Sequence, residues 1–148
     1  MHRMLVGLFV GLALTLPAWA QPTPTDPVSI GDLLARGGKR LTKDELVTLL
    51  AGATLSGKLL NRPGVTFESD MKSDGTVSGS ARSGRDLVGL MGTWSVNDQG
   101  IVCTDVRNSS GDKVGGCSVY FVLDGSYFSA PAPAEDKGAP VIRRVVKR

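Results

Sequence analysis

The sequence predicts a mainly β fold, with an N-terminal helical segment followed by about eight short antiparallel strands forming a small barrel or a sandwich. Three observations predict it. From Ala53 onward apolar and polar residues alternate with a period of two. Turn-forming clusters, "SDG", "NDQG" and "DG", separate the alternating runs. Helical patterning is confined to the stretch before Ala53, and no fixed-period repeat argues for a solenoid.

The first twenty residues, "MHRMLVGLFVGLALTLPAWA", combine Arg3, an apolar run from Leu5 to Leu16, a helix-breaking Pro17 and small residues at Ala18 and Ala20. This is the layout of a cleavable secretory signal with its cut near Ala20. The run is shorter than the roughly 20 residues a membrane-crossing helix needs, so no stable membrane anchor is expected. No cysteine lies near the cut to be acylated, and the mature chain is expected to be periplasmic or secreted. Residues 21–28, "QPTPTDPV", read as a flexible Pro-rich tether, and 29–148 as a single β-rich domain with an N-terminal helix.

Within that domain, Ile30 to Arg36 form a short helix ended by Gly37-Gly38. "LTKDELVTLLAG" is the sharpest local signal. Thr42 and Glu45 make a capping box, Leu41 can staple onto Leu46, Leu46, Leu49 and Leu50 form one stripe, and Gly52 stops the helix. The strands then follow as "TLSGKLL", "VTFESDM", "TVSGSAR", Gly89–Val96, Ile101–Arg107, Gly116–Leu123, Ser126–Ala130 and Val141–Val146. In "VTFESDM", Val65, Phe67 and Met71 point one way and Thr66, Glu68 and Asp70 the other. The basic end "VIRRVVKR" reads as a terminal strand carrying charge on its solvated face, the other reading being a contact with an anionic surface.

Cys103 and Cys117 are the two cysteines of the chain. Cys117, Val119, Phe121 and Leu123 share one strand face, and Ile101 shares a face with Cys103 on the preceding strand. If the strands pair, the sulfurs meet in a hairpin closed by "RNSSGDK". In an oxidising compartment an even count favours a disulfide. The spacing does not resemble the close C-x-x-C of a redox pair. Two thiols without an imidazole are too few for a zinc site, so no metal or other cofactor is expected.

Signal cleavage removes His2, the one histidine, and with it the usual general base for a nucleophilic hydrolase. Glu68 and Asp70 could in principle serve a carboxylate-dependent hydrolase, yet their alternate positions on a strand fit a solvated face. No catalytic residue is assigned. A formal net charge of only +3 gives little reason to expect nucleic acid as a partner. "GSARSGRD" spaces two glycines as a phosphate loop would but has Arg85-Asp86 where Lys and a hydroxyl are needed, and reads as a polar turn between strands. Ser78, Ser80, Arg82, Ser83 and Arg85 gather donors and cations there and form the candidate binding surface. Trp94 reads as a core anchor, and Tyr120 and Tyr127 offer amphipathic rings. Asn108-Ser109-Ser110 fits a glycosylation pattern and, in a bacterial protein, a turn.

"LTKDELVTLLAGATLSGK", "GTWSVNDQGIVC" and "CSVYFVLDGSYFSA", across Leu41 to Ala130, resemble the signal-bearing proteobacterial proteins grouped as domain-of-unknown-function family 995. The resemblance implies a periplasmic β-rich domain and carries over no catalytic residue. "SGSARSGRDL" is similar, more loosely, to the Ser-Gly-rich loop of periplasmic lysozyme inhibitors, but lacks the aromatic residue that follows that motif and places its basic residues differently. The functional expectation is a secreted, non-catalytic binding or interaction module for an unknown protein or small ligand, with inhibition of a hydrolase such as lysozyme as one form. The alternatives are a small-molecule or lipid carrier of the calycin type and the carboxylate-dependent hydrolase.

Overall fold

The computed structural model describes residues 25–148, so the expected signal segment and the start of the tether lie outside the described residues. Helix α1 (Ile30–Ala35) starts at Ser29, whose Oγ accepts from the Asp32 amide at 3.2 Å. Helix α2 (Lys43–Leu50) has the expected box: Thr42 Oγ1 accepts from the Glu45 amide at 3.4 Å, and Glu45 Oε2 accepts from the Thr42 amide at 2.8 Å. Between the helices lies a two-residue strand, β1 (Lys39–Arg40).

Eight strands follow: β2 (Ala53–Lys58), β3 (Val65–Met71), β4 (Thr76–Ser83), β5 (Asp86–Val96), β6 (Ile101–Asn108), β7 (Cys117–Leu123), β8 (Ser126–Pro131) and β9 (Ile142–Lys147). Each pairs antiparallel with the next, and β9 returns to pair with β2, so the ladder closes into a barrel and not a sandwich. β1 adds to β7 at Phe121 and Val122, where β6 has stopped pairing. That short strand has no sequence signature of its own. Its two residues are held by a backbone edge that only the folded barrel provides.

Turn chemistry sets the registers. Gly75 (φ +85°) closes β3 to β4, Gly100 (φ +68°) closes β5 to β6, and Asp124 and Gly125, at φ +49° and +74°, close β7 to β8. Alternation then sends Leu55, Met71, Val77, Ala81, Leu90, Trp94, Val102, Val106 and Tyr120 into the barrel. α2 plugs one end, burying Leu46 and Leu50 in that cluster together with Leu41. The Trp94 indole donates to Lys72 O at 2.9 Å, which fits the anchor role expected of it.

A second cluster lies outside the barrel wall. α1 lays Ile30 and Leu33 on the outer faces of β7 and β8, against Val119, Phe121, Phe128 and Ala130. This explains why β7 is apolar on nearly every residue: one face fills the barrel and the other seats a helix. Residues 25–28, the end of the expected tether, lie against the barrel. Asp26 takes two hydrogen bonds from Arg143 Nε at 3.0 Å, and Val28 O accepts from the Val141 amide at 3.4 Å.

The basic terminus differs from expectation at one residue. Arg143 faces out, but Arg144 is the inward member of the alternation and is buried among barrel residues. The terminal charges are thus divided between the two faces of β9.

Candidate functional site

The stretch expected as a polar connection is mostly strand. In β4, Val77, Gly79 and Ala81 face the interior, so Ser78, Ser80 and Arg82 share the outer face. The turn itself is Gly84-Arg85, leaving Ser83 and Arg85 at the barrel rim. Three of the five candidate residues therefore project from a sheet surface and two from its end.

Register supplies their neighbours. Ser78 sits between Asp70 and Met91, Ser80 between Glu68 and Gly89, and Arg82 between Thr66 and Leu87. Met91 is 73% exposed and Leu87 58%, and at Gly89 between them an added Cβ would meet no atom within 4 Å. The result is an outward face with two large apolar side chains, a bare backbone gap and a row of hydroxyls ending in a guanidinium. Among the described residues, neither Arg82 nor Arg85 is in an ion pair. Leu87 and Met91 were not singled out by sequence reasoning: Leu87 precedes Gly89, where β5 was expected to begin, and Met91 lies within the expected strand but was assigned to neither face. Extending its alternation backward from Leu90 and Val88 would have placed both outside.

Cys103 and Cys117 stand opposite one another in the β6–β7 register and form a disulfide. The loop it closes is internally bonded. Asn108 Oδ1 accepts from the amides of Ser110 at 3.0 Å and Asp112 at 2.8 Å, and Lys113 pairs with Asp105 at 3.2 Å. Asn108 thus works as a turn former, with Nδ2 donating to Asp112 Oδ2 at 3.0 Å.

The most unusual polar group is Arg144. It is 9% exposed, its Nε donates to Ser129 Oγ at 2.8 Å, its Nη1 donates to Lys58 O at 2.5 Å, and the guanidinium lies 5.1 Å from the centre of the Phe67 ring. No carboxylate pairs with it among the described residues. Burial pulls its pKa below the ordinary arginine value, partly offset by nearby Tyr120, whose own pKa burial raises.

Two grooves open on the surface. One, of about 820 Å³, lies between α2 and the adjoining barrel end, over Leu41, Leu49, Val122, Tyr127 and Val146, with Asp44, Glu45 and Arg148 at its edge. The other, of about 520 Å³, runs over β2, β3 and β9 between Gly57, Lys58, Phe67, Ile142 and Arg143, with Asp26 and Pro27 forming a wall. Glu68 and Asp70 are on the exposed side of β3, and among the described residues no three His, Cys, Asp or Glu side chains converge. No helix among the described residues is long and apolar enough to cross a membrane. The chain matches no family model, no curated protein and no solved structure.

Proposed function

We propose that the protein is a secreted, non-catalytic binding module that presents the outer face of β4 and β5 to a protein partner. The observation that carries this reading is the exposure of Leu87 and Met91 beside the Ser78, Ser80 and Arg82 row. Methionine and arginine are favoured at protein interfaces, and exposed apolar side chains ringed by polar ones mark such surfaces. The barrel's architecture supports it: with the interior occupied by side chains and one end plugged by α2, the fold offers a rigid wall on which a flat patch keeps its shape.

A secreted hydrolase is the partner class we favour, in keeping with the resemblance to periplasmic lysozyme inhibitors. Here the Ser-Gly-rich stretch is strand and would meet its target as a surface, with only Gly84 and Arg85 at the tip. Affinity capture from periplasmic extract and host secretions, with lysozyme among the purified targets, tests the assignment. Leu87→Ser with Met91→Ser, and separately Arg82→Ala with Arg85→Ala, should each abolish capture. Undiminished capture by both pairs would remove this face from the reading.

A further inference from the structure

The barrel end away from α2 carries a group of cations that no acid neutralises. One register row crosses four strands there: Lys58 on β2 stands beside Thr66 on β3, Thr66 beside Arg82 on β4, and Arg82 beside Leu87 on β5. Phe67 and Ala81 pack against the core and Gly57 backs onto Arg144, so alternation turns Lys58, Thr66 and Arg82 outward, and all three are exposed. The hairpin tips just beyond the row add Arg62, between β2 and β3, and Arg85, between β4 and β5. Because β3 and β4 are neighbours, the two tips stand side by side.

Among the described residues none of Lys58, Arg62, Arg82 and Arg85 is in an ion pair, whereas Arg36, Lys39, Lys43, Lys113 and Arg143 each have a carboxylate partner. Arg143 lines the second groove with Lys58 but is taken up by Asp26. The acids beside the row are Glu68, the next outward residue of β3, and Asp86, opposite Ser83 at the start of β5. Four cations thus face two carboxylates.

Strands lie roughly 5 Å apart, which sets Lys58 and Arg82 on backbones about 10 Å apart. Charges so spaced do not converge on one phosphate. They match anions repeated along a chain, where contacts that are individually weak act together. Hydroxyls lie among them, Thr66 in the row with Ser80 and Ser83 beside it, and these can both donate to and accept from sugar hydroxyls. A lipid surface would need apolar side chains protruding between the cations, and here Leu87 stands at one edge of the row. We propose that this end of the barrel binds an acidic polysaccharide laid across β2 to β5, its charged groups on Lys58, Arg62, Arg82 and Arg85.

The test uses the full mature protein with dextran sulfate, polygalacturonate and neutral dextran, followed by calorimetry at about 0.15 M salt and by amide chemical shifts. At least one of the two acidic chains should bind and shift Lys58, Thr66 and Arg82, the tighter one identifying sulfate or carboxylate as the preferred group, while dextran should not bind. Lys58→Glu with Arg62→Glu changes only exposed side chains outside the β4–β5 face and should weaken binding at least about tenfold. Lys72→Glu with Lys147→Glu, the same charge change at the plugged end, should leave it unchanged. Leu87→Ser with Met91→Ser should also leave it unchanged, so this site and the protein-binding face can fail separately. Equal losses from the Lys58 and Lys72 pairs, loss of binding in the Leu87 pair, equal binding of dextran, or binding to phosphatidylglycerol vesicles but to neither acidic chain would each overturn the site.

Discussion

Gly79 and Gly92 mark places where neighbouring strands of this small barrel come too close for a side chain. A Cβ at Gly79 would stand 2.1 Å from Glu68 O, and one at Gly92 2.0 Å from Asp105 O. Both are interior positions of tightly coiled strands, where glycine permits the backbone to bend. Gly79→Ala or Gly92→Ala should each cost about 2–4 kcal/mol in urea melts, beyond the usual range for a surface change. At the same scale, Arg143 holds the Asp26 carboxyl below the ordinary carboxylate range, chiefly through their hydrogen bond. Asp26 is ionised more readily folded than unfolded, so this anchor contributes above the ordinary carboxylate pKa and is lost as pH falls through the lowered value. A carbon-detected titration should show Asp26 protonating below an ordinary aspartate, with amide-exchange protection at Val141 falling in the same step. Arg144 shows the limit of residue-level reading: strand alternation puts one of two adjacent arginines inside, and sequence spacing does not say which.

α2 was legible down to its individual hydrogen bonds because its signals are local. The box needs Thr42 and Glu45 three residues apart, and the staple needs Leu41 beside Leu46 in the same turn. Thr42→Ala should lower stability by about 1 kcal/mol, and Leu46→Ala by about 2–5 kcal/mol because the plug would leave a cavity at the barrel end; comparing the two by thermal melts separates cap from plug. The strands were legible for a related reason, since period-two patterning and turn residues are both short-range. β5 was the exception. Its first residues, "DLV", lie in a polar stretch that reads as a turn, and only pairing with β4 from Ser83↔Asp86 upward makes them strand. The candidate surface was thus half visible: its hydroxyls and arginines could be named, while setting Leu87 opposite Arg82 and Met91 opposite Ser78 required the register.

For the whole molecule, the disulfide and the closure of the barrel act together. Cys103 and Cys117 are 14 residues apart and brace the β6–β7 pairing, which spans only three residue pairs along the wall. Reduction should cost roughly 3 kcal/mol by the loop-entropy argument, a fall of about 10 °C in melting temperature, and leave capture through the β4–β5 face intact. Thiol titration of the native protein should find no free thiol. The secretory reading is tested at this scale too: the mature protein should begin at or near Gln21 by N-terminal sequencing.

The sequence by itself determined the elements. Helix caps, turn glycines and apolar alternation act over a few residues, and so do the pairing faces of Cys103 and Cys117. Tertiary structure alone decided that the sheet closes, that β1 joins it, that Arg144 lies inside and that Leu87 and Met91 stand beside the serine row. Closure depends on β9 reaching β2 across the whole domain, β1 depends on an edge of β7 far along the chain, and Leu87 and Met91 depend on the register of β5 against β4. Interactions of that range leave no local pattern, because the residues that meet are chosen by register and not by spacing.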